Sequence, residues 1–352
     1  MVVVTHLGLV SGLNETERLK TTFMPLIAGY TGVHIFFVLS GFLITLLLVR
    51  EHRQNGGISV PDFFLRRVLR IFPIYFLVVG LTIALELVGQ HVVKLESLPF
   101  LLTYTYNFVP EVWYSKTVGH TWSLAVEEHF YLVWPFLFLY LASRDPRRLP
   151  VFTAAIFVFS IAIWLVLRSI EALDDNFLVA RWSFVAGGFI ALGATAALLL
   201  EWSPRRNRWR RLFAHPATLG AGLGLFFHTL LIDSGDYGGQ VRGVGIALGI
   251  GWIYLNQASL PAAFLDLPPL RYLGRISYGI YMWQGFFLAT GPGRLEGQTW
   301  PPETWTGFAL LAVIAPLSYH VFEKPILRFK NRFRPGLRRR TERGQSQQAT
   351  TF

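Results

Sequence analysis

Apolar residues fall along this chain in long blocks rather than in alternation. A bilayer core needs about 20 apolar residues per helix. The runs that qualify lie near 29–49, 71–90, 122–142, 151–168, 180–200, 212–232, 241–257, 272–291 and 305–325. Residues 1–13 form a further run, too short to span alone. Basic clusters separate the runs at 50–70, 144–148, 205–211, 271–275 and 328–340. Short cytoplasmic loops are enriched in Lys and Arg, and all of these clusters share one side if 1–13 is the outer end of a first helix. The pattern predicts an all-α fold, a polytopic membrane helix bundle with about ten transmembrane helices. Residues 91–121 then form an external loop, with the apolar stretch Leu98–Phe108 lying in or dipping into the interface. Residues 1–330 read as one membrane domain without internal repeats, and 331–352 as a basic, then polar, disordered cytoplasmic tail.

Composition changes this picture little and narrows the chemistry. Of the residues 53% are hydrophobic and 15% charged, so the main solvent is lipid. The balance of 32 Lys and Arg against 21 Asp and Glu, net +11, would raise nucleic-acid binding in a soluble protein. Here the basic residues sit between apolar runs, so topology accounts for them and no nucleic-acid partner is expected. The chain has no cysteine, which excludes disulfides, thiolate metal sites, a thiol nucleophile and palmitoylation. Any nucleophile or base is therefore His, Ser, Tyr or a carboxylate. The apolar N-terminus lacks a positive n-region and a small-residue cleavage site, so no cleavable signal peptide is expected.

Ionisable groups inside spans are costly and are functional candidates by default. His6 is one: an imidazole in an apolar segment is largely neutral, as a general base must be, although a helix-packing histidine has the same appearance. A second candidate is the segment from His120 to Tyr131. At 3.6 residues per turn Ser123, Glu127 and Tyr131 stack on one face with Trp134 beside them, while Glu128 and His129 point elsewhere. Glu127 in turn reads either as functional or as a structural carboxylate tied to an arginine such as Arg181. The two His and two Glu here match no zinc-ligand spacing, and no metal is expected. At the entrance of the second long run, Arg66 and Arg70 share a face and suit phosphate oxygens, although topology alone also demands arginines there. Ser277, Tyr281 and Gln284 form a polar stripe on a later helix, suited to a cavity or to helix packing. In Gly32–Leu43 the small pair Ser40-Gly41 permits close backbone approach, and His34 lies near the outer end of a span.

Taken in order, these segments resemble the acyltransferase type 3 family of membrane proteins, which O-acylate surface polysaccharides, peptidoglycan, lipid-linked sugars and some macrolides. The anchors are His6; Gly32-Val33 through Phe36 to Leu43; Phe64 through Arg66-Arg67 and Arg70 to Pro73; Trp122-Ser123-Leu124 with Glu127 and Phe130-Tyr131; Ile276-Ser277-Tyr278 with Tyr281; and Glu323 with Pro325. The resemblance implies a membrane-bound O-acyltransferase of the bacterial inner (plasma) membrane, C-terminus cytoplasmic. It moves an acyl group, expected to be acetyl, from acyl-CoA as co-substrate to a hydroxyl of a carbohydrate-type acceptor. His6 is then the catalytic base, Glu127 orients His6 or the acceptor, and Arg66, Arg67 and Arg70 receive the CoA phosphates. His34, Ser40, Trp122, Ser123, Tyr131, Ser277, Tyr281 and Gln284 are expected to bind substrate.

Four positions depart from the family pattern. An Arg eleven residues before the first-helix His would precede Met1, and residues 1–13 give roughly 20 Å of helix against a core of about 30 Å. Either this segment is re-entrant or the chain starts downstream of the true start, and an upstream extension bearing a basic residue is expected. His34 stands where the family has Asp; Gln284 and His129 replace a common His and a common Gln. Two other functions fit the same pattern: a transporter or flippase of a sugar or lipid substrate, and a catalytically inactive relative. No paired Gly- or Pro-interrupted segments suggest the inverted repeat of many transporters.

Overall fold

The structure is a computed structural model that describes residues 29–170, 178–228, 238–288 and 299–330. Within them the chain is helical, with no strand. The principal helices are α1 (Gly29–Asn55), α2 (Val60–Leu87), α3 (Trp122–Arg144), α4 (Arg148–Arg168) and α5 (Ser183–Glu201). They are followed by α6 (Arg206–Ala214), α7 (Pro216–Phe227), α8 (Gly238–Leu255), α9 (Pro268–Leu288) and α10 (Thr304–Ser318). α10 continues through a π-turn at Tyr319–Glu323 into Lys324–Lys330.

Six stretches are long and apolar enough to cross a membrane: α1, α2, Lys116–Arg144, α4, α5 and Trp305–Arg328. The protein is accordingly an integral membrane protein, and the expectation of about ten spans is supported for six of them. The other runs differ for identifiable reasons. α7 has only 12 residues, α8 carries Arg242 among many glycines, and α9 opens with Arg271 and Arg275 and is rich in tyrosine. The run at residues 1–13 and the tail at 331–352 lie outside the described residues.

Residues 91–115 contain no helix long enough to cross, and 116–121 lead into the Lys116–Arg144 stretch. Together they form short helical turns, Leu95–Ser97, Leu98–Leu102, Tyr106–Phe108, Glu111–Trp113 and Lys116–Gly119. Leu101, Tyr106, Val109 and Val118 are buried against the bundle, while Leu102 and Val112 are exposed. Tyr104 has a left-handed backbone, φ 56°, unusual for a bulky residue. Its ring stacks on Tyr75 at 4.1 Å and on Phe72 at 5.1 Å, contacts that hold it there. Burial raises the Tyr104 and Tyr106 phenols above the ordinary tyrosine range, so both keep their protons.

α5 is the central helix, packed on α1, α4, α8 and α3. Small residues make the closest of these contacts. A Cβ on Gly41 would lie 1.9 Å from the Ile190 carbonyl oxygen, and one on Gly193 would lie 1.9 Å from that of Val38. The backbones of α1 and α5 thus touch, which is what the Ser40-Gly41 pair leads one to expect. Two hydrophobic cores result. One joins α2, the 91–121 segment, α3, α9 and α10 with Ile44, Leu48 and Val49 of α1 and Ala194 and Leu198 of α5; the other joins further residues of α1 and α5 with α8. With α1 and α5, α3 stands at their seam, giving Leu124, Tyr131, Trp134 and Phe138 to the first and Val126 to the second.

Candidate active site

Ser123, Glu127 and Tyr131 recur every four residues on α3 and so stack on one face over about 12 Å. Each is met by a different helix. Ser40 of α1 donates a hydrogen bond to Glu127 Oε1 and contacts the Tyr131 hydroxyl, which itself donates to Glu127. Arg67 of α2 reaches Tyr131: its NH1 lies 3.4 Å from the phenol oxygen and its guanidinium carbon 4.3 Å from the ring centre. Tyr281 of α9 lies 2.5 Å from Ser123 Oγ and donates to the His120 carbonyl at 2.8 Å. The result is a polar file in two parts along one face of α3, the Arg67–Tyr131–Glu127–Ser40 group around one carboxylate and, a turn away, the Ser123–Tyr281 pair. Glu127 is only 5% exposed, and a buried carboxylate persists because these O–H donors satisfy it. Further along the same face Trp134 Nε1 donates to Thr45 Oγ1 at 2.9 Å. Ser40 and Thr45 therefore meet Glu127 and Trp134 in the same order, which makes α1 and α3 parallel.

Proline loosens the backbone beside this file. Pro135 lies inside α3 and has no N–H to give the Tyr131 carbonyl; Pro73 does the same to Leu69 in α2.

The three arginines of α2 diverge. Arg66 pairs with Glu51 at 3.1 Å, and the other Glu51 oxygen accepts the Ser59 N–H at 2.8 Å, closing the link between α1 and α2. Arg67 turns inward to Tyr131. Arg70 is exposed and lies within electrostatic range of Glu323 on the π-turn. Other charged groups gather at the same end: Glu201 holds Arg53 at 3.2 Å, Arg210 at 2.5 Å and the Tyr254 hydroxyl at 2.9 Å.

At the opposite end Gln284 is fully buried one turn beyond Tyr281, and neither its amide oxygen nor its nitrogen has a partner among the described residues. A Cβ on the adjacent Gly285 would lie 2.2 Å from the His120 ring, so α9 presses directly on the turn that precedes α3. Trp122 meets Phe37 edge-on at 5.8 Å, with Arg181 over its face at 5.5 Å. His34 stacks on Phe189 at 3.9 Å.

A family model described as an acyltransferase domain matches residues 1–321. The chain belongs to this family, the acyltransferase type 3 family. Among its relatives is the O-acetyltransferase OatA of Staphylococcus aureus, 27% identical over 323 residues, 85% of this chain and 52% of the relative. The peptidoglycan O-acetyltransferase OatA of Listeria monocytogenes is 26% identical over 327 residues, 85% and 51% of the two chains. A putative peptidoglycan O-acetyltransferase of Bacillus subtilis, YrhL, is 28% identical over 330 residues, 85% and 50%. The chain spans about half the length of the curated relatives it matches. No solved structure matches it significantly.

Within this acyltransferase scaffold, Ser40, Glu127, Tyr131 and Arg67 form one contact group and Ser123 and Tyr281 a second on the same face of α3, with Tyr281 in electrostatic range of Glu127. Trp122 and Gln284 border the second group. Ser277 joins neither: it is exposed and donates to the Gly274 carbonyl of its own helix at 2.9 Å. Glu127 is held by Ser40 and Tyr131, whereas Arg181 lies over the Tyr114 and Trp122 rings. His129 does point away, to Ser183 Oγ at 2.6 Å. Glu128 lies within electrostatic range of Arg67, Glu127, Tyr104 and Tyr278. Tyr278 escaped the sequence reading as a polar contact. Its hydroxyl donates to the Ile71 carbonyl at 2.7 Å, fixing α9 on α2. His6 lies outside the described residues.

Proposed function

We propose that this protein is a membrane-bound O-acetyltransferase that moves an acetyl group from acetyl-CoA to a hydroxyl of a carbohydrate acceptor, with peptidoglycan glycan as the acceptor class. Family membership supports acyl transfer, the three relatives support acetyl as the group, and the two described as peptidoglycan O-acetyltransferases support peptidoglycan. The single observation that carries the mechanism is the Arg67–Tyr131–Glu127–Ser40 contact, with the Ser123–Tyr281 pair one turn away on the same face of α3. It sets buried polar groups between an arginine-bearing end of the bundle and the opposite end.

Acyl-CoA is polyanionic and does not cross lipid. In this reading Arg66 and Arg70 take its phosphates at the basic, cytoplasmic end, and the thioester threads inward past Arg67. The acceptor hydroxyl arrives from the other end, bordered by Trp122, Tyr281 and Gln284. His6 takes the hydroxyl proton as the oxygen attacks the thioester carbonyl. The new C–O ester bond forms, the C–S bond breaks, and the proton passes to the departing thiolate of CoA. Glu127 orients His6, its charge steadied by the Ser40 and Tyr131 hydroxyls. The basic end faces the cytoplasm by the positive-inside rule, and with it the C-terminus.

The test is acetyl-CoA consumption and glycan labelling in membranes bearing wild type or His6→Ala. Wild type consumes thioester and labels glycan, and His6→Ala loses both. Full transfer by His6→Ala would remove His6 as the base. Glycan movement with the thioester intact would make the protein a transporter.

A further inference from the structure

A second guanidinium lies among the helices at the end of the bundle remote from Arg66. Arg242 of α8 is 3% exposed, and its Nε and NH1 meet no hydrogen-bond acceptor among the described residues. Its guanidinium carbon lies 5.8 Å from the ring centre of Tyr30 on α1. A buried cation with unspent donors is expensive in a membrane bundle. His34 interacts with it electrostatically, stacks on Phe189 of α5 at 3.9 Å, and keeps a buried Nδ1 with no partner. Gly239 of α8 closes over the imidazole: a Cβ there would lie 3.1 Å from His34 Cε1. Three helices thus bring two nitrogen-bearing side chains together with no carboxylate between them among the described residues.

We infer that Arg242 and His34 form an anion subsite for a carboxylate carried by the carbohydrate acceptor. The planar fork of a guanidinium matches a carboxylate through two parallel hydrogen bonds. The CoA phosphates do not serve as this anion. His34 and Glu51 lie on one helix, about 25 Å apart at 1.5 Å per residue, and Glu51 is the partner of Arg66. The burial of Arg242 argues against a phosphate headgroup in the surrounding bilayer, which would have to enter the bundle. The inference rests on the acyl-transfer reading, because it assigns the group to that reaction's second substrate.

The experiment uses the full chain in liposomes of zwitterionic lipid, with acetyl-CoA and two acceptor oligosaccharides, one bearing a carboxylate and one the corresponding amide. Wild type favours the carboxylate form through a lower KM. Arg242→Gln raises that KM roughly 10- to 100-fold, the effect of one charge-assisted hydrogen bond, and erases the preference. Its KM values for the amide acceptor and for acetyl-CoA stay unchanged, and Arg242→Lys recovers part of the preference. Equal losses on both acceptors, or no preference in wild type, overturn the subsite. So does a preference that appears only when anionic lipid is added. Equilibrium binding of the carboxylate glycan without donor separates the two claims. Arg242-dependent binding without transfer supports the subsite and sinks the enzymatic reading; transfer with Arg242-independent binding does the reverse.

Discussion

Gly41→Ala is the substitution whose effect the packing specifies most closely. Its methyl carbon would sit 1.9 Å from the Ile190 carbonyl oxygen and 2.7 Å from the carbonyl carbon, both backbone atoms that no rotamer change can move. Ordinary contact begins near 3.4 Å, so α1 and α5 must part by about 1.5 Å. Overpacking of this kind costs about 1–3 kcal/mol. Ser40 is the neighbouring residue, and its hydroxyl is displaced from Glu127 and Tyr131; misplacement by about 1 Å commonly lowers a rate about 100-fold. Purified protein in detergent therefore unfolds at lower temperature by tryptophan fluorescence, and acetyl transfer falls more than stability does. Gly193→Ala meets the Val38 carbonyl at the same interface. Once the helices have parted the second methyl has room, so the double variant is less destabilised than the sum of the singles. Gly80→Ala on α2, with nothing within 4 Å of its Cβ, is the control and is neutral or stabilising. Wild-type stability and activity in Gly41→Ala, or strict additivity in the double variant, would refute the backbone contact between α1 and α5.

Glu127→Ala leaves the Ser40 and Tyr131 hydroxyls without their carboxylate, costs roughly 1–3 kcal/mol in thermal unfolding and abolishes transfer. Glu127→Gln retains an oxygen acceptor, so it keeps most of the stability while still losing transfer; equal behaviour of the two variants would make Glu127 purely structural. Arg66→Ala is expected to raise the KM for acetyl-CoA roughly 10-fold or more while leaving the acceptor KM unchanged, read from initial rates in membranes. Ser277→Ala, which removes an exposed hydroxyl bonded to its own helix, changes stability by no more than about 0.5 kcal/mol and leaves transfer intact. A large loss there would return Ser277 to the site.

Periodicity made much of this architecture legible. Nine residues at helical spacing were enough to place Ser123, Glu127 and Tyr131 on one face, and the long apolar runs were enough to call the fold all-helical. Small size at Ser40-Gly41 announced a close helix crossing, though not that α5 was the partner. What spacing within one helix does not contain is which neighbour meets each rung. The partner of Glu127 came from α1 rather than from Arg181, because that choice depends on α1 and α3 running parallel. Arg67 turned inward between two arginines that read as the more natural pair, since a one-residue step of about 100° decides which guanidinium faces the core. Ser277 and Tyr278 exchanged roles for the same reason. Arg242, within a glycine-rich run, carried no motif to single it out; its burial between α1 and α8 is a tertiary fact.

The central claim is that donor and acceptor enter from opposite ends of one bundle and meet along the polar file. It is tested most directly in sealed vesicles of known orientation, with labelled acetyl-CoA supplied only to the face that bears Arg66 and Arg70 and glycan only to the other. The account predicts label on the glycan, abolished by Glu127→Gln. Label that appears only when donor and acceptor share a face would contradict it.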